Sequence, residues 1–472
     1  MNNMHEILNN QKKFYLDNGV PSYELRIDRL NRVKDIVLTN KDRIVDALNE
    51  DFGVRSKNQS MMTDVYSIIP DIEYTKKNLR KWMKISNRKV SFPFNLLGGK
   101  AFVRYEPLGT VGMISPWNFP VNLTFSPLCA IFAAGNQVMH KPSEYTPNSA
   151  SLLKEICDKA FDENEFATVL GGPDIGSEFT RLNFDHLLFT GSGNIGKLVM
   201  KGAAENLVPV TLELGGKSPV IIGDNADLNM TAKRVMMGKT MNAGQICLAP
   251  DYILVNEDLE KDIVNELETV TSDFFPEMKN NPDYTSIINQ KHYERLNELI
   301  EDATSKGAKV TQINPSNEDF SQQESFKIPP TIIQNVNDNM DVMKEEIFGP
   351  ILPIKTYKDI DETIQYINSK DRPLGLYYFG NNTSEEQMVL DSTSSGGVTI
   401  NDVIGHIQQS DLPFGGVGPS GIGKYKGYEG FLNFSNSRAI HKQIGKRFDS
   451  LFNAIRPPFK GDIEKTLKQI AK

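Results

Sequence analysis

The stretch TVGMISPWNFPVNLTFSPLCAIFAAGNQVMHK, residues 110–141, indicates the fold class of this protein. Its first residues are mostly apolar and predict a strand at Thr110–Ile114, and the long apolar run that follows predicts a helix at Val121–Ala134. A second short apolar run predicts a strand at Gln137–His140. A strand, a helix and a strand in this order form a βαβ unit, which is typical of a mostly parallel sheet.

The same alternation continues along the chain in two blocks. The first block adds strands predicted at Ala167–Leu170, His186–Phe189 and Pro209–Leu214, and helices predicted at Pro147–Phe161, Asp174–Arg181 and Asn194–Ala204. The second block has strands predicted at Val220–Ile222, Tyr252–Val255, Ile351–Lys355, Leu374–Phe379 and Gly397–Ile400, and helices at Leu259–Val270, Ile360–Asn368 and Ser384–Asp391. We therefore expect an α/β protein with two doubly wound domains, residues 1–214 and 215–405.

The remaining segments lie before and after these two blocks in the chain. The first eighty residues predict helices, with Ser22 as the N-cap of one of them. Residues 84–107 include the glycine-containing stretch Ser91–Gly99 and predict an arm rather than a helix. Residues 406–472 are expected to return to the first domain.

Composition and charge exclude several classes of function. A net charge of -8 argues against a nucleic-acid partner, which usually leaves a basic surface. The longest apolar stretch, Leu128–Ala134, is far shorter than the roughly 20 residues that span a membrane. Three cysteines without a visible signal peptide predict reduced thiols in the cytoplasm. The six histidines lack zinc-ligand spacing, so no metal site is expected.

Cys247 is the candidate nucleophile. It lies in NAGQICLAP, residues 242–250, where glycine and proline on either side predict a turn that presents the side chain. A lone cysteine is more often an inert small apolar residue, and this is the interpretation we give to Cys129 and Cys157, which lie within apolar helical patterns.

Glu213 is the candidate base. On the strand predicted at Pro209–Leu214, Thr211 and Glu213 share one face, and Gly215-Gly216 follows. Open α/β sheets bind ligands at the carboxyl ends of their strands, which is where this carboxylate lies, although an isolated glutamate on a strand is more often merely solvated.

Two further motifs also follow strands and precede helices. Asn118 lies in SPWNFP, residues 115–120, where two prolines restrict the backbone around a side-chain amide, although such a sequence is usually just a turn. Residues 191–196, GSGNIG, match the dinucleotide-binding pattern, which is weak when alone. That pattern expects an acidic ribose-binding residue about 20 positions later, where Glu213 stands, and one residue can hardly be both ribose ligand and base.

Together these segments closely resemble the NAD(P)-dependent aldehyde dehydrogenase superfamily, and within it the class 3 branch. The resemblance covers nearly the whole chain and rests on PWNFP at 116–120, KPSE at 141–144, FTGS at 189–192, LELGGKSP at 212–219, GQIC at 244–247, EEIFGP at 345–350, NDV at 401–403 and PFGGVGPSG at 413–421. Arg456-Pro457-Pro458 is also similar to class 3, whereas the polar end, Lys465–Lys472, differs from the apolar tail of the membrane-anchored members.

The resemblance implies the aldehyde dehydrogenase fold, with a small β oligomerisation arm, and oxidation of an aldehyde to the carboxylic acid with NAD, NADP being possible. It resolves the conflict over Glu213, because the matching residue in this family is the catalytic base. It assigns the adenosine ribose to Lys141 and Glu144, the other ribose to Glu346, and a place beside the nicotinamide half to Phe348. The full set of expected cofactor-binding residues is Trp117, Lys141, Ser143, Glu144, Gly191, Ser192, Gly196, Leu214, Gly215, Glu346 and Phe348.

The expected chemistry follows from the residue types. The Cys247 thiolate attacks the aldehyde, the Asn118 amide and the Cys247 N–H stabilise the oxyanion, and hydride leaves for the cofactor. Glu213 then activates water to hydrolyse the thioester. Two alternatives are a cofactor-independent cysteine hydrolase and a catalytically silent binding homologue. The resemblance further implies a homodimer built through residues 84–107 and 434–440, a preference for NAD, and medium-chain aliphatic or aromatic substrates facing Trp117, Phe119 and Phe414.

Overall fold

A computed structural model describes residues 4–92, 94–452, 456–459 and 462–470. The first three residues, Pro93 and the last two residues of the polar end predicted at 465–472 lie outside the described residues. The elements before the first large sheet are α1 (Met4–Asn18), α2 (Tyr23–Thr39), α3 (Lys41–Phe52), α4 (Lys57–Ser60), a π-helical turn (Met61–Tyr66), α5 (Ile68–Trp82), β1 (Ser86–Arg88) and β2 (Lys100–Pro107). The predicted N-cap is confirmed, since the Ser22 side chain accepts a hydrogen bond from Leu25 N.

The first large sheet confirms the predicted alternation. Its segment of the chain contains β3 (Thr110–Ile114), α6 (Asn122–Ala134), β4 (Gln137–Lys141), α7 (Pro147–Ala160), β5 (Phe166–Thr168), α8 (Pro173–Thr180), β6 (His186–Thr190), α9 (Gly193–Ala204) and β7 (Val210–Glu213). Strands β3 to β7 are mutually parallel, and a later two-residue strand, β15, adds to β7 in the antiparallel direction.

The order of this sheet is β15-β7-β6-β3-β4-β5. From β3 the chain winds outward through β4 and β5, and it then returns to the other side of β3 through β6 and β7. The loops after β3 and β6 therefore diverge at a topological switch point, which is where open α/β sheets bind ligands. The segments containing Asn118 and Gly191 follow these two strands.

The second large sheet has seven strands in the order β10-β11-β12-β9-β8-β13-β14, parallel except for β10. Its elements are β8 (Pro219–Ile222), α10 (Leu228–Thr240), β9 (Tyr252–Asn256), α11 (Glu260–Phe274), α12 (Gln290–Ser305), β10 (Lys309–Gln312), β11 (Thr331–Gln334), β12 (Ile351–Tyr357), α13 (Ile360–Asn368), β13 (Gly375–Phe379), α14 (Thr383–Ser392) and β14 (Gly397–Ile400).

Three of these elements were missed from the sequence: α12, β10 and β11. Helix α12 buries Leu296, Leu299 and Ala303, whose three- and four-residue spacing is helical, and Asn289 caps its start by accepting from His292 N. That signal was available in the sequence. Strand β10 is exposed at the sheet edge and has no apolar alternation to reveal it.

The C-terminal part of the chain contains β15 (Gly421–Ile422), α15 (Gly427–Asn433), β16 (Ser435–Lys442) and α16 (Ile463–Ile470). Strand β16 pairs with β2 over eight residues, from Ser435 opposite Pro107 to Lys442 opposite Lys100, and β1 lies on the other side of β2. The segment predicted as an arm thus forms two strands of a small antiparallel sheet, with the Ser91–Gly99 stretch joining them.

The described residues contain neither a candidate membrane span nor a candidate metal cluster. No helix in this part of the chain is long and apolar enough to cross a membrane. No group of three or more His, Cys, Asp or Glu side chains that could hold a metal ion occurs among the described residues.

Candidate active site

The loop that carries Cys247 follows α10 and has an unusual backbone. Asn242 and Ala243 both have φ of 50°, in the left-handed region that side chains other than glycine rarely adopt. Gly244 has φ of 74°, and a Cβ there would stand 2.3 Å from the Gly349 carbonyl oxygen. Strained backbone of this kind persists only where its surroundings hold it, and it concentrates at functional sites. Cys247, at the end of this loop, is half-buried.

Gln245 is one of the groups that hold the loop. It is fully buried, and its Nε2 donates to the Asn242 and Ser286 carbonyl oxygens at 2.9 and 3.0 Å. Its Oε1 accepts from Ile288 N at 3.0 Å. The amide therefore ties the Cys247 loop to the segment before α12. Sequence analysis gave Gln245 no role.

Asn118 lies against the same loop. It is 4% exposed, and its Nδ2 donates to the Gln245 carbonyl oxygen at 3.1 Å. Its own carbonyl oxygen accepts from Asn242 Nδ2 at 3.2 Å. The sequence-predicted amide and the sequence-predicted thiol are therefore brought together, one from each large sheet.

A buried ion pair fixes the backbone of Asn118 from the other side. Arg55 Nη1 donates to the Asn118 carbonyl oxygen at 2.8 Å, and Arg55 Nη2 pairs with Asp64 at 2.8 Å, both side chains being fully buried. Asp64 Oδ1 in turn accepts from the Val121 and Asn122 N–H groups at the start of α6. No sequence motif marks this pair, since no local pattern links the segment between α3 and α4, the π-helical turn and the Asn118 loop.

Glu213 ends β7 and is 2% exposed. Neither carboxyl oxygen has a hydrogen-bond partner among the described residues. Burial therefore raises the pKa of Glu213 well above its usual range, and the charge of Lys424 opposes this only in part. A buried carboxyl group without partners destabilises the fold, which makes it a candidate for function.

The thiol of Cys247 is influenced by two carboxyl groups. Its pKa is raised by burial first, and then by the charges of Glu346 and Glu213. Cys129 and Cys157 differ from it, because each is buried in a helix of the core, at 2% and 0% exposure. Only Cys247 combines a half-exposed thiol with neighbouring charged groups, so it remains the candidate nucleophile.

The turn at residues 191–196 opens α9. The exposed Ser192 is the N-cap of the helix, and its hydroxyl accepts from Ile195 N. A Cβ on Gly196 would stand 2.8 Å from Leu214 Cδ2, so glycine allows α9 to pack closely beside the end of β7. The free N–H groups at such a helix start suit a phosphate group.

Lys141, Ser143 and Glu144 follow the neighbouring strand β4. The buried Lys141 ammonium pairs with the exposed Glu144 carboxylate at 2.7 Å. The Ser143 hydroxyl accepts from Tyr145 N at 3.2 Å. This group lies beside β3, since Ser115 N donates to the Lys141 carbonyl oxygen at 3.2 Å.

Glu346 lies on the loop before β12 of the second sheet, and its carboxyl group is close to Gly215, which follows β7 of the first sheet. A Cβ on Gly215 would stand 2.1 Å from Glu346 Oε2, and Glu346 Oε1 is buried without a partner. Burial, followed by the charge of Asp251, raises the pKa of Glu346 to about 8. Gly215 therefore leaves room at this point for the carboxyl group.

The three predicted aromatic residues divide into two kinds. Trp117 is half-buried and packs edge-to-face on Phe348, with ring centroids 5.3 Å apart. Phe119 and Phe414 are buried in the apolar cluster against which Cys247 packs, at 9% and 4% exposure. Phe348 has φ of 50°, a second strained position in this region.

This arrangement defines a class of protein before any comparison. A half-buried cysteine, a side-chain amide and an unpartnered carboxyl group lie at a switch point of the first sheet, beside a turn whose sequence matches the dinucleotide-binding pattern. Such a site fits an oxidoreductase that forms a covalent intermediate on cysteine.

The comparisons with known proteins agree with that class. The model of the aldehyde dehydrogenase family matches residues 19–440. The chain is 51% identical to a probable coniferyl aldehyde dehydrogenase of Caulobacter vibrioides, covering 98% of this chain and 96% of that protein. It is 41% identical to mouse aldehyde dehydrogenase family 3 member A2, covering 88% and 83% of the two chains. The substrate-bound structure of Staphylococcus aureus AldH superposes with a TM-score of 0.92 at 36% identity, over 100% of both chains.

The chain belongs to the aldehyde dehydrogenase family, and within it to a class 3-like branch. The protein is an enzyme that oxidises an aldehyde to the carboxylic acid. The fold and the reaction predicted from the sequence are thereby confirmed.

Proposed function

We propose that Cys247 carries the substrate as a covalent intermediate. The observation that supports this is the convergence on its loop of Asn118 from the first sheet and of two carboxyl groups, Glu213 and Glu346. The Cys247 thiolate attacks the carbonyl carbon of the aldehyde, and the carbonyl oxygen takes the negative charge. The cysteine hydrolase and the silent homologue have no observation in their favour.

Asn118 is the proposed oxyanion donor. Its Nδ2 donates to the Gln245 carbonyl oxygen, so the amide lies against the loop that carries Cys247; in the proposed reaction the same amide donates to the substrate oxygen. The Arg55–Asp64 pair holds the backbone carbonyl of Asn118 in place, and this restricts where the side-chain amide can lie. One such donor typically contributes about 3–4 kcal/mol to the transition state.

Glu213 is the proposed base of the second half-reaction. The thioester on Cys247 is hydrolysed when Glu213 takes a proton from water, the hydroxyl oxygen bonds to the carbonyl carbon, and the carbon–sulfur bond breaks to return the thiolate. Neither carboxyl oxygen has a hydrogen-bond partner among the described residues, so either can accept that proton when the group is ionised.

The cofactor we propose is NAD, with NADP also accepted. When bound, it accepts the hydride that the aldehyde loses. The residues present fit this group: Lys141, Ser143 and Glu144 would hold the adenosine side, and the turn at Gly191, Ser192 and Gly196 would hold the phosphates. Glu346, with its unpartnered oxygen, would accept from the second ribose beside Leu214 and Gly215, and Trp117 and Phe348 would border the nicotinamide half.

An apolar aldehyde, aromatic or medium-chain aliphatic, is the proposed substrate class. Half-buried apolar side chains join the cluster that contains Phe119 and Phe414, against which Cys247 packs; they include Met61, Met241, Ile404 and Ile407. The matched relative of Caulobacter vibrioides is named for coniferyl aldehyde. A comparison of kcat/KM for cinnamaldehyde-type, medium-chain and two-carbon aldehydes tests this, and equal values across the panel would contradict it.

The experiment that tests the covalent intermediate is acid quench and peptide mass spectrometry. After mixing with NAD and an aromatic aldehyde, the acyl mass should be found on the Cys247 peptide. The peptides of Cys129 and Cys157 serve as internal controls and should remain unmodified. An acyl group on either control, or none on Cys247 while NADH forms, would contradict the proposal.

For the organisation of the chain we propose a cofactor-binding domain of residues 1–214 with the arm at 84–107, a catalytic domain of 215–405, and a C-terminal return and oligomerisation segment of 406–472. The alternating sheets on either side of Gly215 support this division. Limited proteolysis with mapping of the first cuts tests it.

The assembly we propose is a homodimer. Strand β16, the outer strand of the arm sheet, and β14, the last strand of the seven-stranded sheet, each lack a further strand neighbour among the described residues. Open edges of this kind are usually covered, and pairing between two copies would cover them. Sedimentation should show a dimer at micromolar concentration, and a stable monomer there would contradict the proposal.

A cytoplasmic location is proposed as well, supported by three free cysteines, and cell fractionation tests it.

A further inference from the structure

Lys424 borders the same small space as the Glu213 carboxyl group. A Cβ on Gly415 would stand 2.7 Å from Glu213 Oε1 and 2.9 Å from Lys424 Cδ. The two side chains therefore lie close to the same point, Glu213 at the end of β7 and Lys424 in the segment after β15. Sequence analysis gave Lys424 no role.

The ammonium group of Lys424 is held nearby but not on the carboxylate. It donates to the Gly415 carbonyl oxygen in a short contact and to the Gly416 carbonyl oxygen at 3.3 Å. An ammonium group has three donors, and the side chain is half-buried with four rotatable bonds, so one donor can turn towards Glu213 while the chain stays in place.

The charge that Lys424 supplies has no substitute among the described residues. The groups that act on Lys424 are Glu213 and burial. Tyr425 and Cys247 face Glu213 as well, but neither carries positive charge. His406 faces Lys424, and burial lowers its pKa to about 4, so it stays neutral at higher pH. A base must be ionised to take a proton, and burial without partners favours the protonated form of Glu213.

We propose that Lys424 is a positioning residue for thioester hydrolysis: its ammonium group turns from the Gly415–Gly416 carbonyls to the Glu213 carboxylate and keeps that base ionised. The inference rests on the proposed role of Glu213 as the base. It adds a residue that touches neither substrate nor cofactor but sets the pH at which the second half-reaction runs.

The test is the pH profile of hydrolysis in Lys424→Gln, measured as steady-state kcat after a rapid NADH burst. Glutamine retains a donor for the carbonyls and removes the charge. The rising limb of the profile should move to higher pH by about one to three units, which is the usual effect of an opposite charge at this range. The burst amplitude should stay near that of the wild type, because the first half-reaction does not use the ionised base. Lys424→Arg should keep the wild-type limb.

The matched control is Lys426→Gln. Lys426 is a buried lysine two residues further on, and its ammonium group pairs with Asp71 at 2.9 Å instead of facing Glu213. Its loss should leave the midpoint of the limb unchanged. An equal shift in both variants, or no shift in Lys424→Gln, would overturn the proposal.

Combination with Glu213→Gln separates failure of this inference from failure of the proposed function. If Glu213→Gln leaves hydrolysis unchanged, Glu213 is not the base. If Glu213→Gln slows hydrolysis, Lys424→Gln should have no further effect in that background, and an additive loss would overturn the role of Lys424. Lys424→Met provides a second uncharged variant should Lys424→Gln fold poorly. The infrared band of the protonated Glu213 carboxyl group, assigned by its loss in Glu213→Gln, should persist to higher pH in either variant.

Discussion

Glu213 and Glu346 are two carboxyl groups that act on one thiol, yet their surroundings differ. Glu213 is buried at the end of a strand with neither oxygen bonded, and Lys424 is the one cation that acts on it among the described residues. Glu346 is half-buried on a loop, where burial and the charge of Asp251 raise its pKa; the Gly216 N–H and the charges of Lys217 and Arg295 oppose this only in part. The comparison indicates that a carboxyl group with both oxygens free suits proton transfer, whereas one held by a backbone N–H, with its other oxygen free, suits the binding of a ligand.

The largest effect is expected when Cys247, the thiol on which both carboxyl groups act, is replaced. Cys247→Ala should lower turnover by roughly 10⁴-fold or more, because loss of a nucleophile removes the covalent route entirely. Stopped-flow measurement of NADH should also show no burst. Cys157→Ala, in the core of α7, is the matched control and should retain the burst. A burst that survives Cys247→Ala would show that Cys247 is not the nucleophile, and the roles given to the two carboxyl groups would then have no basis.

The next effect separates the two carboxyl groups. Glu213→Gln should keep the NADH burst and slow the following steady state by about 10²- to 10⁴-fold, which is the usual contribution of a general base. Glu346→Gln should instead weaken NAD binding and slow the burst itself. Identical kinetic changes in the two variants would show that the carboxyl groups do not have separate roles.

A smaller effect concerns pH and cofactor affinity. The raised pKa of Glu346, about 8, means that the group is protonated below that pH and ionised above it. A carboxylate accepts the ribose hydroxyl hydrogen bond better than the acid does, so the Kd for NAD should rise as pH falls through 8, by up to about tenfold per unit. Fluorescence titration between pH 6 and 9 measures this. The slope should disappear in Glu346→Gln, and its persistence there would assign it to another group.

The smallest expected effect concerns cofactor choice. Glu144 is exposed and paired with Lys141 at 2.7 Å, so a carboxylate stands beside the proposed adenosine site. It repels a 2′-phosphate, while Lys141 offsets part of that repulsion. Glu144→Gln should therefore raise kcat/KM with NADP relative to NAD by about five- to tenfold, since one unit of charge is removed at a solvent-exposed site. Glu163→Gln, an exposed glutamate outside the site, is the control. An unchanged ratio would show that the adenosine lies elsewhere.

Much of this enzyme was predictable because its signals are local. The strand at Thr110–Ile114 and the helix at Ile360–Asn368 were predicted with the observed bounds, since apolar periodicity and turn residues suffice to define such elements. Cys247, Glu213 and Asn118 could be named because each lies in a short motif beside a predicted strand end. The interpretation of Cys129 and Cys157 as core residues is supported by their burial.

The residues that the sequence did not reveal act across long separations. Arg55 reaches Asn118 across 63 positions, and Gln245 reaches Ser286 across 41. Their partners are backbone carbonyl groups, which have no sequence signature, so no motif marks the contact. Lys424 approaches Glu213 only because β15 adds to the edge of β7.

By itself, the sequence determined the class of fold and the family, and it named the candidate reactive groups, because these depend on periodicity and on short motifs. Only the tertiary structure decided how those groups are held: the backbone of Asn118 is fixed by a buried ion pair, the loop of Cys247 has a strained backbone, and the candidate base Glu213 has no hydrogen-bond partner among the described residues and lies near Lys424. The physical reason is that hydrogen bonding and burial depend on which atoms meet in space, and in this enzyme those atoms come from segments that only folding brings together.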